Sequence, residues 1–403
     1  MLVFSSGNTR SVNARRAVQE ALELAASAGH GTPGLVLLHA GFGHDLLRLS
    51  QELQRECPGI RVLGTSCAGV VGRDGPGESM HDIALMGIHG EGYSISHVAG
   101  LVGSSCLAKG RELALGLQAA APHPVRMVVL VACGCDLAND SLIAGIESVL
   151  GPDVVIVGAT SSDPMRGSAT FQVIDDRLVQ QAAFAVGLWD PSLSVASHAS
   201  HGFVAIEAPL LVTRARENRI EELDGQPAWP LYLEWLGLPS DASLADTLAI
   251  GALAAPLSTT QAAEYGNDHI LRAVTDQSPE GGLTCTTTCR EGERLWLTLR
   301  DEERIFRELD HLVERIAAAH AGCAPLAVFH ADCLARGRRL FHRVMKEELV
   351  HRMQQPFCVD GAVPPWLGMY GAGEFARLGG RNRFHNYTTA LAVVYRQAHS
   401  EAR

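Results

Sequence analysis

Apolar runs and amphipathic stretches alternate through the first half of the chain in an order that is used twice. Leu35 to Ala40 is a nearly unbroken apolar run, which predicts a buried strand. Asp45 to Cys57 carries apolar positions at helical spacing until Pro58-Gly59 stops it, and Arg61 to Cys67 reads as a second strand closing on Ala68-Gly69. The same order returns with Met127 to Ala132 as strand, Asn139 to Leu150 as helix, Gly151-Pro152 as breaker and Asp153 to Ser161 as strand. A strand, a helix and a strand joined by short turns predict a right-handed crossover with parallel strands. Each unit runs on into antiparallel segments: Asp82 to His89 and Tyr93 to Ala99 in the first, Ala169 to Asp175 and Ala182 to Leu188 in the second. The pattern predicts a pseudo-symmetric domain over residues 1–200, with copies at about 30–100 and 122–200. Ser11 to Ser27 forms an additional amphipathic helix.

Residues 201–403 are patterned differently. Phe203 to Arg214 alternates like a strand, and Gln226 to Gly237 is a short helix between Pro227 and a stop glycine. Ala245 to Ala254, His269 to Val274, Leu283 to Thr287, Glu293 to Leu299 and Leu326 to Cys333 read as strands. Asp301 to His320 and Gly337 to Gln355 read as long helices. Leu367 to Phe375 and Phe384 to Tyr395 close the chain as neighbouring strands. The expected fold is α/β in the duplicated half and α+β overall. The second half is a mixed, largely antiparallel sheet with two long helices.

The 403 residues are 47% apolar, enough for sizeable cores, and the net charge of −11 argues against a nucleic-acid partner. No apolar run reaches the roughly 18–20 residues that span a bilayer. Met1 to Arg10 lacks a basic region ahead of an apolar one, so a cytoplasmic protein is expected. The ten cysteines are scattered, as buried thiols would be. Neither a phosphate-binding glycine loop nor a His-Glu-x-x-His pattern is present, and Cys133-Gly-Cys135 and Cys285-x3-Cys289 lack the second pair a structural zinc site needs.

Candidate chemistry gathers at two kinds of turn. Gly64 to Gly69 and Gly158 to Asp163 put small polar residues where the second strand of each crossover ends, which is where open α/β sheets bind ligands. Ser66, Cys67, Ser162 and Asp163 then rim a shared crevice, unless the turns simply require small residues. Cys67 would need a neighbouring base to serve as a nucleophile. Near the end of the chain, Tyr370-Gly-Ala-Gly-Glu-Phe-Ala376 sets Glu374 on a turn made by Gly371 and Gly373, shortly before His385, Asn386 and Thr388. Donors and acceptors converging at one sheet edge are how small-molecule sites are assembled; alternatively Glu374 only ties down the turn.

These motifs resemble the FIST family, sensory proteins named for F-box and intracellular signal transduction. The amino-terminal pattern is carried by the two glycine turns. The carboxyl-terminal pattern is carried by Val212-Thr213 with Leu223-Asp224-Gly225, Pro227-Ala228, Tyr232 and Leu236-Gly237, by Cys333 with Arg336-Gly337-Arg338, and by Gly371-x-Gly-Glu374 with Asn386-x-Thr388. The resemblance implies a sensor of small ligands, with amino acids as the proposed class. No kinase, cyclase or methyl-accepting segment accompanies these motifs, so the output is expected to pass to a separate signalling protein. An arginine that grips a carboxylate and a glutamate that takes an ammonium suit an amino acid, which makes Arg336 and Glu374 a candidate pair, with Cys333 and Asn386 beside them. Three nearby arginines and a following helix start are expected to lower the Cys333 thiol. Alternatively Cys333 is a core thiol and Arg336 pairs with Glu374. Some relatives in the family resemble haem-binding sensors of nitric oxide. His385 would then be the axial ligand of a non-covalent haem, since no Cys-x-x-Cys-His attachment motif occurs among the 17 histidines. A cysteine-dependent enzyme using Cys333 or Cys67 is the remaining alternative, for which no paired base is visible.

Overall fold

All six positions of Leu35–Ala40 are buried, because this strand lies in the middle of a sheet covered on both faces. The computed structural model describes residues 1–26, 29–134, 137–163, 169–248, 250–337 and 343–397. The chain begins with β1 (Val3–Thr9), α1 (Ala14–Ala26), β2 (Leu35–Ala40), α2 (Leu46–Glu56), β3 (Arg61–Ser66), a hairpin of β4 (Val70–Gly72) and β5 (Gly75–Gly77), and β6 (Ile83–His89). The order then repeats: β7 (Tyr93–Ala99), α3 (Cys106–Ala119), β8 (Met127–Ala132), α4 (Asn139–Leu150), β9 (Val155–Thr160), a hairpin of β10 (Gln172–Ile174) and β11 (Arg177–Val179), and β12 (Ala182–Leu188).

A third copy follows, opened by β13 (Leu193–Ser200) and at once interrupted. The interruption holds β14 (Phe203–Arg216), β15 (Arg219–Leu223), β16 (Gln226–Pro227), α5 (Ala228–Trp235), α6 (Leu244–Thr247), β17 (Gly251–Pro256) and α7 (Thr259–Tyr265). It continues with β18 (His269–Arg272), β19 (Val274–Gln277), β20 (Leu283–Cys285) and β21 (Arg294–Arg300). The copy then resumes with α8 (Glu302–Ala319), β22 (Pro325–Cys333), α9 (Arg343–Gln354), β23 (Trp366–Gly371), a hairpin of β24 (Glu374–Leu378) and β25 (Arg381–His385), and β26 (Thr389–Arg396).

Among the described residues each copy contributes four strands to a six-stranded sheet in the same order: β1-β6-β2-β3, β7-β12-β8-β9 and β13-β26-β22-β23. The crossover pairs β2–β3, β8–β9 and β22–β23 are parallel. The last two places in each sheet are filled by a hairpin from another copy: β10-β11 joins β3, β24-β25 joins β9, and β4-β5 joins β23. The hairpins are thus handed round in a closed cycle. Gly64, Gly158 and Gly368 stand at equivalent points, as register partners of Val173, Phe375 and Val71 of the incoming hairpins. A Cβ on Gly64 would lie 2.8 Å from Val173 Cγ1 and one on Gly368 2.9 Å from Val71 Cβ, both on incoming hairpins, while at Gly158, φ 128°, it would lie 2.1 Å from the Leu130 carbonyl oxygen of β8. Glycine therefore lets the hairpins seat at Gly64 and Gly368, and at Gly158 it permits the backbone conformation.

The inner faces of the three sheets share one apolar interior that includes Leu37, Leu63, Val129, Val157, Phe329 and Leu367. Helices cover the outer faces: α1 and α2 on the first, α3 and α4 on the second, α8 and α9 on the third. The interrupting segment builds its own sheet and its own core around Trp229, Tyr232, Leu253 and Leu295.

The structure revises several expected elements. Tyr93–Ala99 does not pair with Asp82 to His89; it pairs with β12 as the opening strand of the second copy. Residues 367–375 are not one strand, because the chain turns at Ala372-Gly373 and leaves for another sheet. Residues 384–395 break at Tyr387, whose φ is 55°. They are neighbours only where they meet in the β24–β25 hairpin, Glu374 with His385 and Phe375 with Phe384; their main runs are apart, since β22 separates β23 from β26. Most of residues 245–254 expected as a strand divides into α6 and β17.

Candidate functional site

The third glycine turn, Gly368-Met-Tyr-Gly-Ala-Gly373, occupies the place held by Gly64 to Gly69 and Gly158 to Asp163 in the other copies. The three turns meet at one end of the shared interior and lock to one another. Ser162 Oγ accepts from the Ala68 N–H at 2.8 Å and donates to the Tyr370 carbonyl, so one hydroxyl ties the second copy to the first and third. Ser66 Oγ accepts from the Phe171 N–H at 3.0 Å. Thr65 and Ser161 hydroxyls bond at 2.6 Å. Cys67 is fully buried, and burial pushes its thiol up to about 12. Ser66 and Ser162 therefore clasp the copies together, while Cys67 bonds the Ala40 carbonyl of its own copy; of the four rim candidates Asp163 alone is partly exposed.

Glu374 opens the incoming hairpin β24, in register with Ala159 and His385. Along β24 it shares a face with Ala376 and Leu378, both part of the common interior. The side chain is wholly buried. Its Oε2 accepts from the Thr388 hydroxyl at 2.6 Å and from the Thr388 N–H at 3.3 Å, while Oε1 has no partner among the described residues. Burial, and next the charge of Asp332, hold this carboxyl well above the usual range, against the Thr388 hydroxyl and Arg336, which favour ionisation. Asn386 is wholly buried as well. Its Oδ1 accepts from the Ala273 N–H at 3.1 Å and the Thr286 hydroxyl at 2.5 Å, and its Nδ2 has no described partner. That Nδ2 borders the Gly373 Cα: a Cβ there would lie 3.0 Å from it and 2.2 Å from the Phe384 ring. Gly371 stands beside Cys333 in register, where a Cβ would press on Ala159 and the Thr160 carbonyl. Both glycines are thus required by close approach.

Arg336 is buried and donates from Nε to Asp332 at 2.8 Å and from Nη1 to the His201 carbonyl at 3.2 Å. Its ion-pair partner here is Asp332, on β22, in place of the expected Glu374. Cys333, four strand positions from Phe329 in the interior wall, donates its N–H to Thr388 O at 3.0 Å. Its thiol is raised well above the ordinary value, first by burial and then by Glu374. The expectation of a lowered thiol fails because a single turn, Leu334–Arg336, follows it, and Arg336 gives its charge to Asp332. Arg338, Arg339, His342 and Cys135 lie outside the described residues.

His385 is wholly buried, bonds through Nδ1 to the Tyr265 hydroxyl at 3.1 Å, and is held down to about 4 by burial. Tyr265 comes from the interrupting segment, yet its ring belongs to the interior cluster. On its other side Tyr265 lines a cleft of about 190 Å³ between α7 and α8, together with Glu264, Glu308, His311, Glu314 and Arg315. A haem needs an apolar slot around its axial histidine. His385 meets the Tyr265 hydroxyl at Nδ1 and lies across the β24–β25 ladder from Glu374, and its Nε2 has no described partner.

Of the candidates singled out in the sequence, Cys333, Arg336, Gly371, Gly373, Glu374, His385, Asn386 and Thr388 lie buried near one another, apart from Ser66 and Cys67. It missed Asp332, Thr286, Tyr265 and His201. Asp332 had a signal, as an acid inside an apolar strand. Tyr265 had none, because only the insertion's path brings it there. Among the described residues no helix is long and apolar enough to cross a membrane, and no group of three His, Cys, Asp or Glu side chains is placed to hold a metal.

Two solved structures of cyanuric acid hydrolase, one from A. caulinodans, align over 99% and 98% of this chain and all of theirs. Their TM-scores are 0.39 and 0.35, at 9% and 11% identity. Uncharacterized proteins of Mycobacterium bovis and Mycobacterium tuberculosis are each 28% identical over 251 residues, 60% of this chain and 61% of theirs. The match therefore spans less than two thirds of those relatives. The FIST N domain pattern matches residues 34–226 and the FIST C domain pattern residues 228–377. Spread over most of the sequence, these two matches make the chain a member of the FIST family, whose domains are sensory and bind small ligands.

Proposed function

We propose that the protein is a sensor that holds a free amino acid at the Glu374 cluster and signals through a separate protein such as a kinase or cyclase. One observation supports this reading above the rest. Glu374 Oε1 and Asn386 Nδ2 are buried without described partners, close to the Gly373 turn, when buried polar atoms are almost always satisfied. An acceptor and a donor left over together suit a ligand carrying both an ammonium and a carboxylate. The ammonium faces Glu374, which ionises to receive it. The carboxylate takes the Asn386 amide and the Arg336 guanidinium. The other two copies place Val70 and Gln172 where the third has Glu374, so only the third offers an acid. The cysteine of the cluster, Cys333, has its thiol raised by burial, and the reading is one of binding.

Thermal unfolding with each of the twenty amino acids tests it. At least one should raise the midpoint of the wild-type protein and leave that of Glu374→Ala unmoved, with the two apo midpoints similar. A wild-type midpoint indifferent to all twenty overturns the amino-acid assignment.

A further inference from the structure

We infer that the ligand's seat is the space filled here by the Tyr265 side chain, and that the cleft between α7 and α8 is the way in. This rests on the reading above and adds where the ligand sits, how large it is and how it arrives. Tyr265 is 5% exposed and stands in the barrel interior although it belongs to the interrupting segment. Its ring centroid is 5.2 Å from that of His201 and 5.6 Å from that of His385, whose register partner is Glu374. The same side chain forms part of the wall of the 190 Å³ cleft. One residue therefore touches both the outside and the partner of the acid.

The helix that carries Tyr265 is short. α7 has seven residues and ends at Gly266, φ 76°. It is held against α8 by Arg315, which donates to the Ala263 and Glu264 carbonyls from an exposed position. Such exposed contacts are weak. When Tyr265 swings out, the room it leaves is that of one phenol ring, so the ligand as a whole is about this size. Glu308 in the cleft wall is paired with Arg304, which leaves Glu264 and Glu314 against Arg315 and favours the approach of an ammonium over that of an anion.

The test needs no ligand. Diethyl pyrocarbonate modifies neutral histidine, and peptide mass spectrometry gives the rate at His385 relative to His311 at the mouth of the cleft. Tyr265→Ala should raise the His385 rate at least about tenfold, and Ala263→Trp, which crowds the cleft from an exposed position, should lower it about as much. Tyr265→Phe keeps the ring and should stay within about twofold of wild type. Equal His385 rates in wild type, Tyr265→Ala and Ala263→Trp would overturn the inference, because the way in would then lie elsewhere. If Tyr265→Ala does not fold, Ala263→Trp decides alone. Since the reagent is not an amino acid, the entrance can stand while the amino-acid assignment falls, and the reverse.

Discussion

Glu374 and Gln172 hold the same place in two of the three sheets. Each opens an incoming hairpin, each is fully buried, and their register partners, Ala159 and Thr65, are themselves equivalent. Gln172 donates to the Ser161 hydroxyl at 2.5 Å inside the clasp between copies, whereas Glu374 accepts from Thr388; each keeps its Oε1 without a described partner, but only that of Glu374 belongs to an acid. A repeated position has thus been split between holding the fold and offering a charge.

That charge has a pH signature. Glu374 is held neutral in the fold above its ordinary value of 4.5, so the native state carries the extra proton above pH 4.5. The contribution is complete below pH 4.5 and is lost as pH rises towards the raised folded value. Glu374→Gln should therefore gain on the wild type above pH 4.5, by up to about 1.4 kcal/mol per pH unit. Urea unfolding of both proteins from pH 4.5 to 8 reads it, and a constant difference would mean that Glu374 is ionised in the folded protein.

The histidines have the opposite sign. His39, bonded to the Gly368 carbonyl at 3.1 Å, is held down to about 4 by burial. The unfolded chain takes up its proton first, so stability is complete above pH 6.5 and is lost as pH falls towards 4. His39→Gln should flatten the acid limb of the stability curve by about 1.4 kcal/mol per pH unit between those values. An unchanged limb would place the acid sensitivity in other groups.

Ser162→Ala removes the hydroxyl shared by the Ala68 N–H and the Tyr370 carbonyl and strands both inside the clasp. A loss of about 1–3 kcal/mol is expected, seen as a lower urea midpoint at unchanged slope. A lower slope instead would mean that the three copies no longer unfold together.

Iodoacetamide at pH 7 should leave Cys67 and Cys333 unmodified in the folded protein and label the half-buried Cys323 and Cys358. Rapid labelling of Cys333 would show a thiolate and restore the case for covalent chemistry.

The crossovers were legible because Leu35 to Ala40 and Met127 to Ala132 are apolar throughout and are followed by well-punctuated helices. The third copy was hidden for a physical reason. Its opening strand, Leu193–Ser200, is separated from α8 by the interrupting segment, and its sheet strand Pro325–Cys333 admits His330 and Asp332 between apolar neighbours, which blurs the run. The hairpin exchange was also out of reach, since Gly64, Gly158 and Gly368 signal a close approach without naming what approaches. The Gly371 to Glu374 stretch stood out by composition. The role of Tyr265 depends on contacts far apart in sequence.

The circulating hairpins also bear on how such a protein can be divided. A single copy, cut free, would have one bare sheet edge and one hairpin with nothing to lie against, and three identical chains could meet those needs by passing hairpins around a ring. Joining the three end to end removes the requirement for assembly and lets each copy diverge, so that an acid at one position and a ninety-odd-residue excursion at another no longer have to appear three times.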